Sequence, residues 1–404
     1  MKNVILFDSD VREHLLPLTF TRPVCELRIG ILTIREKWEK WLDAEVSYIT
    51  QDYLTEKYPI NISENNFVIN GAVLPSEQLC RLIHQLEKNE ALLQDGELIA
   101  ARLNKEQFDN LMHDEEIEEL EGFDVEDTPF IKISSLSDLY SLNDRAIAED
   151  FKFLTEGRTS QDISEHNTVI GTEHVFVEEG ASVTGAILNA TKGPIYIGRN
   201  AEVMEGALIR GPLAACEHSK IKMGAKIYGA TTIGPYSKAG GEINNSIMIG
   251  YSNKSHDGYL GNSVLGEWCN LGADSNNSNL KNNYTEVKIW NYDAERFLGT
   301  GLQRFGLVMG DHSKCGINTM FNTGTLVGVC ANIYGAGYPR TFIPSFAWGG
   351  PQGFTTYKVE KAFETAKIVM ERRDLSLDEK EMKILENVFA QTAKWRRWEK
   401  IIMQ

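Results

Sequence analysis

The sequence contains no apolar run long enough to cross a bilayer, and the run Asn3–Phe7 is too short to be the core of a signal peptide. The expected compartment is therefore the cytoplasm, with no membrane partner. Basic charge is scarce: 41 Lys and Arg stand against 57 Asp and Glu, giving a net charge of −16. Binders of nucleic acid or of anionic membranes need a basic face, so this balance argues against both. Small phosphate ligands stay open, because a few local Arg or Lys suffice for them. Cysteine is also sparse. The six, Cys25, Cys80, Cys216, Cys269, Cys315 and Cys330, form no CxxC pair, and none has His at zinc-finger spacing. Neither a disulfide framework nor a zinc site is expected.

A chain of 404 residues exceeds the usual size of a single core, so at least two domains are expected. The clearest pattern runs from Ile197 to Ala239. Val203, Ile209, Ala215, Ile221, Ile227, Ile233 and Ala239 are spaced six apart, and all are small or β-branched. A helix has a period near 3.6 and a strand a period of 2, so neither accounts for this spacing. A parallel β-helix does: three short strands make one coil and each coil stacks on the last. The same phase returns at Met309, Cys315, Phe321, Val327 and Ile333. Cys315 thus reads as a small buried hydrophobe. Gly, Asn and small polar residues are expected at the corners.

Upstream, Asn3–Phe7, Val46–Ile49 and Phe67–Ile69 read as strands, with helical spacing at Ile29–Trp41 and Ser76–Leu93 between and after them. This alternation points to an α/β domain with a mostly parallel sheet. The acidic stretch Asp114–Asp127 reads as a solvated helix and loop. Two polar stretches, Tyr251–Asn262 and Asn276–Arg304, break the hexapeptide phase, and such excursions from a solenoid usually carry its ligands. After Pro344 the period becomes helical, with Ser376-Leu377-Asp378-Glu379 as a capping box. The expected division is 1–154 α/β domain, 155–167 linker, 168–345 β-helix and 346–404 helical cap.

These motifs resemble those of the bifunctional N-acetylglucosamine-1-phosphate uridylyltransferase / glucosamine-1-phosphate acetyltransferase family, in its divergent short form. The resemblance implies a nucleotidyltransferase-like α/β domain followed by a left-handed parallel β-helix. In the solenoid, Lys254-Ser255-His256-Asp257-Gly258-Tyr259-Leu260-Gly261 is similar to the family's catalytic-histidine segment, which assigns the general base to His256 and sugar-phosphate binding to Tyr259. Asn270-Leu271-Gly272-Ala273 is similar to an Asn-x-Gly-Ala motif, with Asn270 on the sugar and Ala273 and Asn279 at acetyl-CoA. Arg210 and Glu242 resemble further substrate-binding positions. Asn244 stands where the family has a phosphate-binding lysine.

The first loop departs further. The family carries Gly-x-Gly-Thr-Arg-Leu-x-Pro-Leu-Thr; here Phe7-Asp8-Ser9-Asp10-Val11-Arg12 precedes Leu16-Pro17-Leu18-Thr19, without the glycines. Backbone N–H groups then lack that close approach to a triphosphate. Side chains have to meet the phosphates instead: Arg12, with Arg22, Arg28 and Lys37. Asp8 or Asp10 would hold Mg²⁺, a cation that prefers carboxylate oxygens and keeps several waters. Asn70-Gly71 and Lys132 fall where the family meets its sugar and phosphates.

The chemistry suits these residue types independently. Acetylating an amine requires removal of a proton, and a His with pKa near ~6.5 accepts one around neutral pH. Arginine forks recognise phosphates bidentately. The expected function is nucleotidyl transfer from a nucleoside triphosphate (NTP) to a sugar-1-phosphate, coupled to acetyl-CoA-dependent N-acetylation of an amino-sugar-1-phosphate. The product implied by the resemblance is UDP-N-acetylglucosamine, made by a homotrimer. Two alternatives stand beside it: a nucleotidyltransferase whose β-helix is only a scaffold, and a non-catalytic sugar-nucleotide-binding protein.

Overall fold

In a computed structural model, residues 2–112, 120–125 and 128–399 are described. Most of the acidic stretch Asp114–Asp127 lies outside them; the part inside includes an exposed strand, Glu121–Asp124. The architecture has the expected parts: an α/β domain, a parallel β-helix with three strands per coil, and helices after it. Among the described residues no helix is long and apolar enough to cross a membrane.

The chain divides into two compact units. The first comprises residues 1–15, 22–27 and 32–134; the second comprises 16–21, 28–31 and 135–404. The division therefore falls at 134/135 rather than 154, and two short N-terminal segments belong to the β-helix unit.

The first unit holds a six-stranded sheet: β1 (Lys2–Phe7), β2 (Ala44–Ile49), β3 (Asn65–Asn70), β4 (Glu90–Gln94), β5 (Glu97–Asn104) and β6 (Glu121–Asp124), in the order β2-β1-β3-β5-β4-β6. β1 pairs in parallel with both β2 and β3, while β5 runs antiparallel to β3 and to β4. The helix α1 (Val11–His14) follows β1, and α2 (Ile34–Leu42) opens with a Thr33–Glu36 capping box. The helical spacing at Ile29–Trp41 thus starts five residues late, where that box supplies an N-terminus. Ser76–Leu93 was expected as one helix; α3 (Glu77–Gln85) ends early and β4 follows. Sheet pairing with β5 and β6 overrides helical spacing there.

In the second unit the hexapeptide pattern holds residue by residue. Val203, Ile209, Ala215, Ile221, Ile227, Ile233 and Ala239 are all at most 2% exposed. Leu213 pairs directly with Ile195, eighteen residues earlier, and with Thr231, eighteen later. Three hexapeptides, each with a strand of two or three residues, therefore make one coil. Cys315 is 4% exposed in the same core.

The corners differ from expectation at one edge. His218, Tyr236, Tyr251, Trp268 and His312 all have φ between 53° and 61°, a region sparsely used by bulky residues. Their rings stack in sequence, with centroids 4.6, 5.2, 4.4 and 6.2 Å apart. Ring contact on each successive coil offsets the backbone strain.

The 155–167 stretch is no free linker. Arg158 forks onto Glu178, and Ser160 Oγ accepts from the Val177 N–H, so the segment closes the first coil. At the other end lie the helices Val359–Glu371 and Glu379–Gln391. The N-cap of the latter is Asp378, which accepts from the Glu381 N–H, so the cap sits two residues beyond Ser376.

Candidate functional site

In the first unit, β1, β2 and β3 end level: Phe7 pairs with Ile49 and with Asn70. The chain leaves β1 for β2 on one side and then returns past β1 to β3 on the other. That reversal is a topological switch point at the carboxyl ends of the strands, the place where open α/β sheets bind ligands in a crevice. The loops that border it start with Asp8, Thr50 and Asn70.

Asp8 is committed to its surroundings. Oδ1 accepts from the Val24 N–H at 2.7 Å and Oδ2 from Thr50 Oγ1 at 2.6 Å. Burial raises its carboxyl above the ordinary range, against the pull of these donors and of Arg12. Asp10 is exposed at the N-cap of α1 and makes no capping bond. Of the two acids, Asp10 suits a cation that arrives with phosphates, whereas both Asp8 oxygens already accept bonds. Among the described residues there is no group of three or more His, Cys, Asp or Glu placed to hold a metal.

Arg12 is 4% exposed. Nη2 donates to Tyr53 Oη and Nη1 to Glu13 Oε1, both at 2.7 Å, and Nε lies 3.8 Å from Asp8. Arg22 and Lys37 are likewise buried, at 4% and 3%. Arg28 belongs to the second unit and donates to the backbone carbonyls of Ile249 and Ile31. Its guanidinium holds backbone of its own unit.

The Leu16-Pro17-Leu18-Thr19 run, similar to the family's phosphate loop, is also part of the second unit, with Leu18 and Thr19 fully buried. The adjoining Thr21 Oγ1 donates to Asp311 at 2.6 Å.

Asn70 and Lys132 are brought together by a residue that the sequence reading missed. Asn70 Nδ2 donates to Glu97 Oε1 at 2.9 Å, and Lys132 Nζ bonds the other oxygen of the same carboxylate. Glu97 opens β5, antiparallel to β3; only that pairing reveals it. Gly71 N donates to Phe7 O, and a Cβ there would lie 3.0 Å from that oxygen, so the turn requires its small residue.

In the second unit, His256 lies in the short excursion between Asn253–Lys254 and Tyr259–Gly261. It is exposed, and its imidazole makes no hydrogen bond among the described residues. What holds the loop is Lys254. This lysine occupies an inward hexapeptide position, 2% exposed, and its Nζ donates to the carbonyls of Gly240, His256 and Asp257 at 2.9, 2.7 and 3.4 Å. Burial depresses its pKa to about 8. Gly240 makes room: a Cβ there would collide with the Ser255 carbonyl.

Pairing between coils puts Lys226, Glu242 and Tyr259 in one outward row. Tyr228 Oη donates to Glu242 at 2.5 Å, which raises the phenol to about 12. Asn279 Nδ2 donates to Tyr259 Oη at 3.0 Å and to Asn262 at 2.7 Å. Tyr259, Glu242 and Asn279 therefore share one surface, and Lys226 adds the cation that Asn244 does not. Arg210 lies three strands from Tyr259, roughly 14 Å at the usual strand spacing of about 4.8 Å. Asn270 is exposed on a different sheet, paired with Asn253, and the Ala273 carbonyl accepts from Asn318 N–H.

A basic cluster adjoins the sheet that carries Asn253 and Asn270. Lys220, Lys238 and Asn253 pair in register, and Arg373 reaches Asn253 Oδ1 at 3.4 Å. Burial, then the charges of Arg373, Lys220, Lys222 and Arg372, lower the Lys238 pKa. Of these, Lys220 is paired with Glu202.

Residues 4–159 match a family described as sugar nucleotidyl transferase. A bifunctional sugar-1-phosphate nucleotidylyltransferase/acetyltransferase of Sulfurisphaera tokodaii is 31% identical over 145 residues, which cover 35% of this chain and 36% of that protein. The bifunctional protein GlmU of Methanocaldococcus jannaschii is 33% identical over 87 residues, covering 22% of this chain and 21% of its own. The chain thus matches about a third or less of these relatives' length. The crystal structure of Francisella novicida UDP-N-acetylglucosamine acyltransferase aligns at 13% identity and a TM-score of 0.24, over 57% of this chain and 90% of that one. Residues 4–159 are thus similar to sugar nucleotidyl transferases, in a chain similar at low identity to parts of bifunctional sugar-1-phosphate nucleotidylyltransferase/acetyltransferases.

Proposed function

We propose that this protein transfers a nucleotidyl group from an NTP to a sugar-1-phosphate, and that its β-helix acetylates the amino-sugar phosphate that feeds the first reaction. UDP-N-acetylglucosamine is the product that fits both halves, made in the cytoplasm. The observation that carries the reading is the topological switch point at the level ends of β1, β2 and β3, inside the segment that matches the transferase family. There Arg12, held by Tyr53 and Asp8, presents fixed positive charge to a phosphate without backbone glycines. Fixed donors of this kind stabilise charge that develops in phosphoryl transfer. Mg²⁺ would enter with the triphosphate, held by Asp10 and retained waters, and would neutralise phosphate charge. Asn70 and Lys132, locked by Glu97, border the sugar side.

In the β-helix, His256 takes a proton from the substrate amine as its nitrogen attacks the thioester carbonyl. The C–S bond then breaks and the thiolate leaves as coenzyme A. Lys226, Tyr259 and Asn279 face the sugar phosphate, and Lys222, Lys238, Arg372 and Arg373 offer charge to the phosphates of acetyl-CoA. Arg210 and Asn270 lie apart from this row in one chain and would join it from neighbouring chains of a homotrimer.

A second reading keeps nucleotidyl transfer and makes the β-helix a trimerising scaffold. It is favoured by an unoriented His256 imidazole and by Asn244 in place of lysine. A product assay over a panel of NTPs and sugar-1-phosphates, with and without acetyl-CoA, separates the readings. Nucleotidyl transfer without any acetyl-CoA-dependent product would leave the scaffold reading; no turnover at all would defeat both.

A further inference from the structure

One cavity in the second unit is lined by none of the residues assigned to either reaction. It has a volume of about 670 Å³, within the range of roughly 300–1,000 Å³ typical of small-molecule sites. Its walls come from the hairpin Lys288–Asn291/Arg296–Gly299, the last coil near Phe342 and Phe354, and the segment 395–398. Trp290, Phe297, Phe342, Phe354, Trp395 and Trp398 line it.

Three features exceed what a packed aromatic end-cap needs. First, Phe297 is 43% exposed although it borders a cavity of this size. Second, Trp290 is 7% exposed, and its indole N–H finds no acceptor among the described residues, as a buried donor ordinarily does. Third, Arg340 and Arg397 stand at the rim, exposed, and neither side chain makes a hydrogen bond or ion pair among the described residues. Glu295, which acts on Arg397 electrostatically, is already paired with Lys394 at 2.6 Å. By contrast Arg396, between the two tryptophans, is spent on Phe389 O and Glu399. In a chain of net charge −16, two unpaired guanidinium groups beside one aromatic chamber form a local positive field.

We infer that this cavity binds a nucleoside phosphate, its base stacked on the aromatic lining and its phosphate on Arg340 and Arg397. A flat heteroaromatic ring stacks on Trp and Phe faces, and base–aromatic stacking contributes about 1–3 kcal/mol per base in other proteins. Arginine forks bind phosphate bidentately. A neutral sugar would leave both arginines unused, and a simple anion would leave the aromatic walls unused. Every lining residue lies between 290 and 398, within the second unit.

The test is calorimetric titration of the full-length protein with UMP, AMP, coenzyme A and inorganic phosphate, alongside tryptophan fluorescence. At least one nucleotide is expected to quench the fluorescence and to bind with loss of a site in Arg340→Gln/Arg397→Gln. Phe297→Leu should weaken the same event several-fold while leaving nucleotidyl transfer unchanged. Whether UMP, AMP or coenzyme A binds best identifies the source of the nucleotide. The count of sites keeps the inference independent of the proposed activity: an inactive first unit removes one binding event, and the arginine pair removes another. Nucleotide binding whose affinity and stoichiometry are unchanged in the double variant, or fluorescence quenched by none of the nucleotides, would overturn it.

Discussion

At the scale of single residues, His256 and Arg12 make opposite demands on their surroundings. His256 is exposed and free to take a proton, so its removal should cost chemistry and not folding. His256→Ala is expected to lower acetyl transfer by roughly 10² to 10⁴, the usual contribution of a general base, with nucleotidyl transfer unchanged. An acetylation rate equal to wild type would remove His256 from the reaction. Arg12 is buried among Tyr53, Glu13 and Asp8, so Arg12→Ala should cost stability as well as rate. Arg12→Lys keeps charge but loses the fork. It should lower nucleotidyl transfer about a hundredfold, near 3 kcal/mol, with a smaller loss of melting temperature. If rate survives in Arg12→Lys, the phosphate contact lies elsewhere. The candidate residues were only partly legible in the sequence. Arg12, Asn70 and Lys132 are named from local motifs; Lys254 stands in such a motif without a role, and Glu97 and Lys226 stand in none. Each of those three is defined by pairing across strands, and a linear motif carries no sign of which strand lies alongside.

At the scale of elements, the hexapeptide period was fully legible because each inward position is buried by geometry alone. The N-terminal sheet was less so. Its first three strands follow apolar runs, whereas β4 sits inside a helical spacing and is placed by its partners. The loop that carries His256 offers two tests. Gly240→Ala would drive a Cβ into the Ser255 carbonyl and shift the loop. Displacements near 1 Å typically cost a hundredfold in rate, so acetyl transfer should fall although His256 is intact. A wild-type rate would show that the loop position is unimportant.

Lys254 gives a pH signature. Its pKa is lowered to about 8 in the folded chain, below its unfolded value, because burial disfavours the charge. Between pH 8 and the unfolded value, the unfolded chain holds a proton that the folded chain has released. Stability from this group therefore rises with pH across that window. The melting temperature of wild type relative to Lys254→Met should increase from pH 8 to pH 10. Parallel curves would mean that the lysine titrates alike in both states.

At the scale of the whole molecule, the outer surface of the β-helix decides the assembly. Ile187 and Leu208 pair on adjacent coils, pointing outward, and are 42% and 45% exposed; Ile170, one coil earlier, is 44% exposed. Ile187 and Leu208 are in register and Ile170 lies diagonal to them, opposite Asn189; an exposed apolar patch of this kind on a solenoid marks a contact surface. Around this patch the row Lys226–Glu242–Tyr259 continues on the same sheet, so a neighbour docked on Ile187 and Leu208 would lie beside the candidate sugar-phosphate surface. Arg210, on the strand that carries Leu208, would then meet the neighbour rather than its own Tyr259. The expected assembly is a homotrimer, because closed rings satisfy a face-to-side contact without leaving an open end. Sedimentation at micromolar concentration should give three times the chain mass. Leu208→Glu, which buries a charge at the contact, should yield monomers that keep nucleotidyl transfer and lose acetylation. A stable wild-type monomer would remove the shared site, and a trimeric Leu208→Glu variant would move the contact to another face.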